Sequence, residues 1–127
     1  MPYQFRKHYT RDEASALLPQ IRQWLDHLGQ LQHELADYDR GIGERLSKGV
    51  DVGGEPVNRW MKIRGEIETI LGEFQKREIQ IKDLDRGLVD FPAFVGGQEV
   101  FLCWEKDEDD VEFWHTLTSG YSGRERL

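Results

Sequence analysis

The chain has 127 residues and a mass of 14.9 kDa, enough for one domain with one core. Hydrophobic residues make up 38% of it and charged residues 32%, and the mean hydropathy of −0.69 suits long, solvated amphipathic helices. The net charge of −7 counts against nucleic acid as a partner, because neutralising phosphates needs basic surface.

No apolar run approaches the length of about 18 residues that a membrane-spanning helix needs. The opening segment, Met1 to Lys7, lacks the apolar core of a signal peptide. The single cysteine, Cys103, excludes an internal disulfide and a multi-cysteine zinc site. These features lead us to expect a cytoplasmic protein without a membrane segment.

Residues 10–40 read as one long helix. Thr10 followed by Glu13 is a capping box, in which hydroxyl and carboxylate each satisfy a free N–H at the helix start. The apolar residues recur as heptads, Ala14, Ile21, Leu28 and Leu35 in one register and Leu17, Trp24, Leu31 and Tyr38 in the other. Leu18 and Leu25 widen the stripe, which must be buried against a partner helix. Pro19 removes one backbone bond from this helix and predicts a kink. Residues 41–55 hold five glycines without a clear period and read as a loop. Residues 56–78 give a second helix, opened by Pro56, with Trp60, Ile63, Ile67, Ile70 and Phe74 on its seam. The two helices are expected to form an antiparallel hairpin of coiled-coil type over residues 10–78. Two helices make a thin core, so the hairpin is expected to self-associate as a homodimer.

From residue 79 the apolar pattern alternates. Three antiparallel strands are predicted at 79–84, 88–95 and 98–105, joined by a three-residue turn, Asp85-Arg86-Gly87, and a two-residue turn, Gly96-Gly97. The acidic run 106–110 reads as a solvated loop. A short helix is predicted over Val111 to Leu117, followed by a polar tail. The fold expected for residues 1–127 is therefore a single α+β domain: a long helical hairpin, a three-stranded meander and a short C-terminal helix.

Turn lengths set strand register. The two turns place Val95 opposite Gln98, Asp90 opposite Cys103, and Lys82 opposite Asp90. One sheet face then carries Ile79, Ile81, Val89, Phe91, Ala93, Val100, Leu102 and Trp104 for packing on the helices. The other face carries a row of Lys82, Asp90 and Cys103. Pro92 lies in the middle strand, where it cannot donate to the ladder, so the count through it to Cys103 is its weak joint.

The row admits two readings. One is an ion pair bridging two strands beside a small buried cysteine. The other is a catalytic site: Lys82 with a shifted proton affinity, Asp90 orienting it, Cys103 as nucleophile or metal ligand, and His115 as base or ligand. Trp104 and Trp114 are then candidates for a ligand-binding wall, and Arg124 for an anion contact. His8, Asp83, Asp85, Asp90, Cys103 and His115 are side chains that zinc accepts, but none shows a recognised ligand spacing, and the sequence does not identify a cofactor.

The strings IQIKDLDRGLVDFPA, EVFLCWE and FWHTLTSGYSGR resemble a bacterial and archaeal family of small proteins of unknown function. The opening FRKHYTRDEASALLPQIR fits the same pattern. The resemblance implies kinship without an activity, substrate or cofactor. It singles out Lys82, Asp83, Asp85, Gly87, Asp90, Pro92, Cys103, Trp104, Trp114, His115, Gly120 and Arg124. The family's more common acidic residue after the tryptophan–histidine pair is Thr116 here.

Two functions follow as expectations. The first is a cytoplasmic, self-associating interaction module. The alternative is a small-molecule or metal-binding protein, hydrolytic in one version, with its site on the C-terminal sheet.

Overall fold

A computed structural model describes residues 3–49 and 54–127. Helix α1 spans Arg11–Ser47 and helix α2 spans Glu55–Lys76. Five strands follow: β1 (Gln80–Asp83), β2 (Leu88–Val95), β3 (Gln98–Glu105), β4 (Phe113–Thr116) and β5 (Glu125–Arg126). They form one antiparallel sheet in sequence order, and a 3₁₀ turn at Tyr121–Gly123 precedes β5. Among the described residues no helix is long and apolar enough to cross a membrane.

The predicted capping box is present. Glu13 N donates to Thr10 Oγ1 at 3.1 Å, and Thr10 N donates to Glu13 Oε1 at 2.9 Å. Helix α1 passes through Pro19 in one continuous element. It also runs seven residues beyond the predicted end at residue 40, so the first part of the expected loop is helical. Residues 50–53 of that loop lie outside the described residues. The fully buried stripe of α1 is Ala14, Leu18, Ile21, Leu25, Leu28 and Leu31, and α2 contributes Ile63, Ile70 and Phe74. These side chains share one core with Val89, Phe91, Ala93, Val100, Leu102 and Trp104 from the sheet. The inner sheet face is therefore the one expected from alternation, and the helices shield it from water.

Three expectations are corrected. The sheet has five strands, not three. The segment predicted as a short C-terminal helix forms β4 instead. As a strand it places Trp114 opposite Leu102 and against the core, and His115 opposite Phe101 on the other face. Aromatic residues fit such a half-buried pleat, and the free edge of β3 supplies the ladder. The tail then pairs on β4, with Phe113 opposite Arg126.

The third correction concerns register. The connection from β1 to β2 is four residues, Leu84 to Gly87, closed by Gly87 N donating to Leu84 O at 3.1 Å. Gln80, not Lys82, stands opposite Asp90. Ile81 pairs with Val89 and Asp83 with Leu88, which leaves Lys82 as the extra residue of a β-bulge. Beyond Pro92 the count holds without a shift: Pro92 faces Phe101, Asp90 faces Cys103 and Val95 faces Gln98. Strand β1 pairs no further along β2 than Asp90, so the missing N–H of Pro92 deprives no ladder partner. Its carbonyl accepts from Tyr9 N at 2.7 Å instead.

The acidic loop is docked rather than free. Arg22 donates to the carbonyls of Lys106 and Glu108, and Trp104 Nε1 donates to Glu108 O at 3.0 Å. Arg11 Nε donates to Val111 O at 2.7 Å, and Ser15 hydrogen-bonds Asp110. The loop thereby ties α1 to the far end of β3 and delivers β4 to its place.

Candidate functional site

The outer face of the sheet carries a pocket of about 220 Å³, walled by Leu88, Phe101, Leu117 and Tyr121. Lys82, Asp90 and His115 bring the polar groups to it. Alternation in β2 and β4 turns Asp90 and His115 outward, and the bulge in β1 re-aims Lys82 toward them. The Lys82 ammonium lies over the Phe101 ring, 5.0 Å from its centroid. Among the described residues it has no ion-pair partner. It acts on Asp90 through charge across the pocket, without a direct contact.

Asp90 and His115 are each 2% exposed, and His115 Nε2 lies 3.0 Å from Asp90 Oδ2. The other ring nitrogen, Nδ1, lies 2.7 Å from the Thr116 carbonyl oxygen. A carbonyl only accepts, so Nδ1 carries a proton and donates it. In a neutral imidazole Nε2 then presents a lone pair to the carboxylate. A single proton between Nε2 and Oδ2, or a cation in its place, makes that contact attractive. The second carboxylate oxygen, Oδ1, is buried with no hydrogen-bond partner. Burial pushes the Asp90 carboxyl above its usual range, against the pull of His115, Cys103 and Lys82.

Cys103 is fully buried beside Asp90. Burial, and next the charge of Asp90, push its thiol up to about 12, so at neutral pH it is the weakly nucleophilic thiol form. Arg124 Nη1 lies 3.8 Å from its sulfur. Burial works against the Arg124 guanidinium, but Glu108 holds it firmly charged through contacts of 3.2 and 2.6 Å. The guanidinium also covers the rings of Phe113 and Tyr121 at 3.8 and 4.4 Å.

Of the candidates from sequence, the structure brings Lys82, Asp90 and His115 to the pocket, with Cys103 beside Asp90 and Arg124 against the Cys103 sulfur, both outside the lining. It does not bring the two tryptophans. Trp104 is fully buried in the core on the inner face, and Trp114 packs against the same core. Tyr121, Leu117 and Glu108 were missed. The glycines of the tail hinted at a turn that would carry Tyr121, but nothing local marks Glu108 as the partner of Arg124. Asp90, Cys103 and His115 form the one group among the described residues whose ligand atoms could converge on a metal ion, all lying within 4.8 Å of one another.

Larger hollows run along the helices, one of about 310 Å³ beside Tyr38, Ile42 and Pro56 and another of about 460 Å³ beside Phe74 and Ile79. Neither is floored by a buried polar group, so the chemistry points to the sheet pocket. No curated protein and no solved structure matches this chain. A family model for an uncharacterized conserved protein, DUF2203, matches residues 7–127, and the chain belongs to that family.

Proposed function

We propose that the protein binds a small polar molecule in the outer pocket of its sheet. The observation that carries this reading is a cavity lined both by the buried Asp90 carboxylate, one oxygen of which has no hydrogen-bond partner, and by the exposed Lys82. A buried acceptor left unpaired costs about 1–3 kcal/mol, and a ligand that donates to it recovers that cost. The volume corresponds to about seven liquid-water shares of about 30 Å³ each, which suits a small metabolite. Lys82 matches an anionic group, and Asp90 matches a hydroxyl or amine. A small hydroxy acid or amino acid carries both.

The test is an amide NMR titration of the full chain with lactate, glycerate and serine at millimolar concentration. Shifts confined to Leu88, Asp90, Phe101, His115 and Tyr121, and lost in Lys82→Ala, are expected. Absence of shifts with all three compounds, or shifts centred on the hollow beside Tyr38 and Ile42, would refute the reading.

A second reading, self-association as a homodimer, has its own observation. Beyond Leu31 helix α1 has no fully buried residue, and Leu35 and Tyr38 are only half covered. Met61 is 60% and Leu71 41% exposed on α2. A second copy laid along this part of the hairpin would shield these groups. Sedimentation equilibrium at micromolar concentration should give twice the chain mass, falling to a monomer in Leu71→Lys. A wild-type monomer at that concentration ends this reading.

A further inference from the structure

Asp90, Cys103 and His115 sit on three adjacent strands, β2, β3 and β4. Cys103 is directly opposite Asp90, and His115 reaches the same carboxylate diagonally from its position opposite Phe101. An oxygen, a sulfur and a nitrogen thus converge within 4.8 Å at the floor of the pocket. We propose that Asp90, Cys103 and His115 bind one divalent transition-metal ion of the zinc class, with a fourth position open to the pocket.

The hydrogen bonding of His115 suits a bound cation. With Nδ1 donating to Thr116 O, His115 directs its Nε2 lone pair at the carboxylate. That is the orientation of a metal-ligating histidine whose remote N–H is held by a backbone carbonyl. A proton shared between Nε2 and Oδ2 satisfies that contact but leaves the Cys103 sulfur outside it. An ion can take a carboxylate oxygen, the imidazole nitrogen and the sulfur together.

Bonds of about 2.0–2.3 Å set tetrahedral ligand atoms about 3.5 Å apart, so small torsional adjustments of three side chains close the set. The ion displaces the thiol proton to solvent as the metal–sulfur bond forms. The Arg124 guanidinium, already 3.8 Å from the sulfur, then faces a thiolate. The metal's two positive charges are matched by one carboxylate and one thiolate, which keeps the buried assembly neutral. Sulfur and nitrogen donors select zinc-class ions over magnesium or calcium, which take oxygen ligands. Asp90 and His115 line the pocket, and Cys103 stands beside Asp90, outside that lining. The open position therefore faces the pocket, where it takes water or an oxygen of a bound small molecule. Only this last point rests on the pocket reading above.

The experiment titrates the chelator-stripped full chain with Co²⁺ alone. One equivalent should bind, with visible d–d bands and a near-ultraviolet thiolate-to-cobalt charge-transfer band, and Zn²⁺ should displace it. Cys103 is the only thiol in the chain, so that band reports this residue without any variant. Cys103→Ser should abolish the band and weaken binding at least tenfold, and Asp90→Asn should weaken it at least tenfold, each with an unchanged far-ultraviolet spectrum. Should either variant fail to fold, the wild-type band decides. A folded wild-type protein without the band overturns the proposal. So does a cobalt spectrum unchanged in Cys103→Ser, which would place the ion elsewhere, such as the acidic loop. Cobalt binding without any small-molecule shifts would refute the pocket reading and leave the metal site standing. Small-molecule shifts without cobalt binding would do the reverse.

Discussion

Replacing Asp90 by asparagine should stabilise the metal-free protein while removing its binding chemistry. In the native side chain one oxygen lies against the Nε2 of His115 and the other has no hydrogen-bond partner. The amide has the same shape but a donor to offer. Its Nδ2–H can point at His115 Nε2, whose lone pair is fixed there by the Nδ1–H bond to Thr116 O. The atom left unpaired is then a neutral carbonyl rather than half of a buried carboxylate. An unsatisfied buried acceptor costs about 1–3 kcal/mol and more when charged, so the exchange should gain about 1 kcal/mol. For a chain of this size that raises the melting temperature by about 4 °C. Thermal and urea unfolding at neutral pH in the presence of a chelator measure it directly. A variant that is less stable than the wild type by more than about 1 kcal/mol would mean that the carboxylate itself anchors the sheet. The tautomer argument would then be wrong.

Other outcomes follow from the same structure. Glu99 accepts from Gln4 N at 2.8 Å, Phe5 N at 3.1 Å and His8 Nε2 at 2.7 Å, strapping the N-terminal segment to β3. Burial pushes its carboxyl up, but the Gln4 N–H, the His8 ring and the Phe5 N–H outweigh this and hold it below the usual range. A carboxyl lowered in the folded state stabilises above its unfolded range, and that contribution is lost as pH falls through the folded value. Hydrogen exchange at Gln4 and Phe5 should therefore lose protection on acidification in the wild type. In Glu99→Gln protection should be low at all pH values, and equal protection in both proteins would refute the strap. Gly87 has φ +65°, and an added Cβ would lie 2.5 Å from Lys106 Cβ. Gly87→Ala should therefore cost about 1–3 kcal/mol, and a urea midpoint equal to wild type would contradict it.

Much of the framework is legible without coordinates, because it depends on neighbours in sequence. The Thr10–Glu13 box, the helical stripes and the Gly96-Gly97 reversal are local, and glycine readily takes the positive φ that both turn positions need. The turn carries the register of β2 on β3 with it, which is why Asp90 lies opposite Cys103 as counted. The β1 register was not legible. The string DLDRG fits a three-residue or a four-residue connection equally well, and only the packing of Ile79 and Leu84 against the core selects the latter with its bulge at Lys82.

The segment 111–117 shows the same division more sharply. Its residues suit a short helix or a strand, and no local signal separates them. The open edge of β3, the core place for Trp114 and the docking of the acidic loop on Arg11, Ser15 and Arg22 decide for the strand. That choice carries His115 to Asp90 and Arg124 to Glu108. Periodicity and turn chemistry act over a few residues, so the sequence by itself determined the helices, the central hairpin and which sheet face is apolar. The pocket and the contact between His115 and Asp90 join residues 25 positions apart, and only tertiary packing could bring them together.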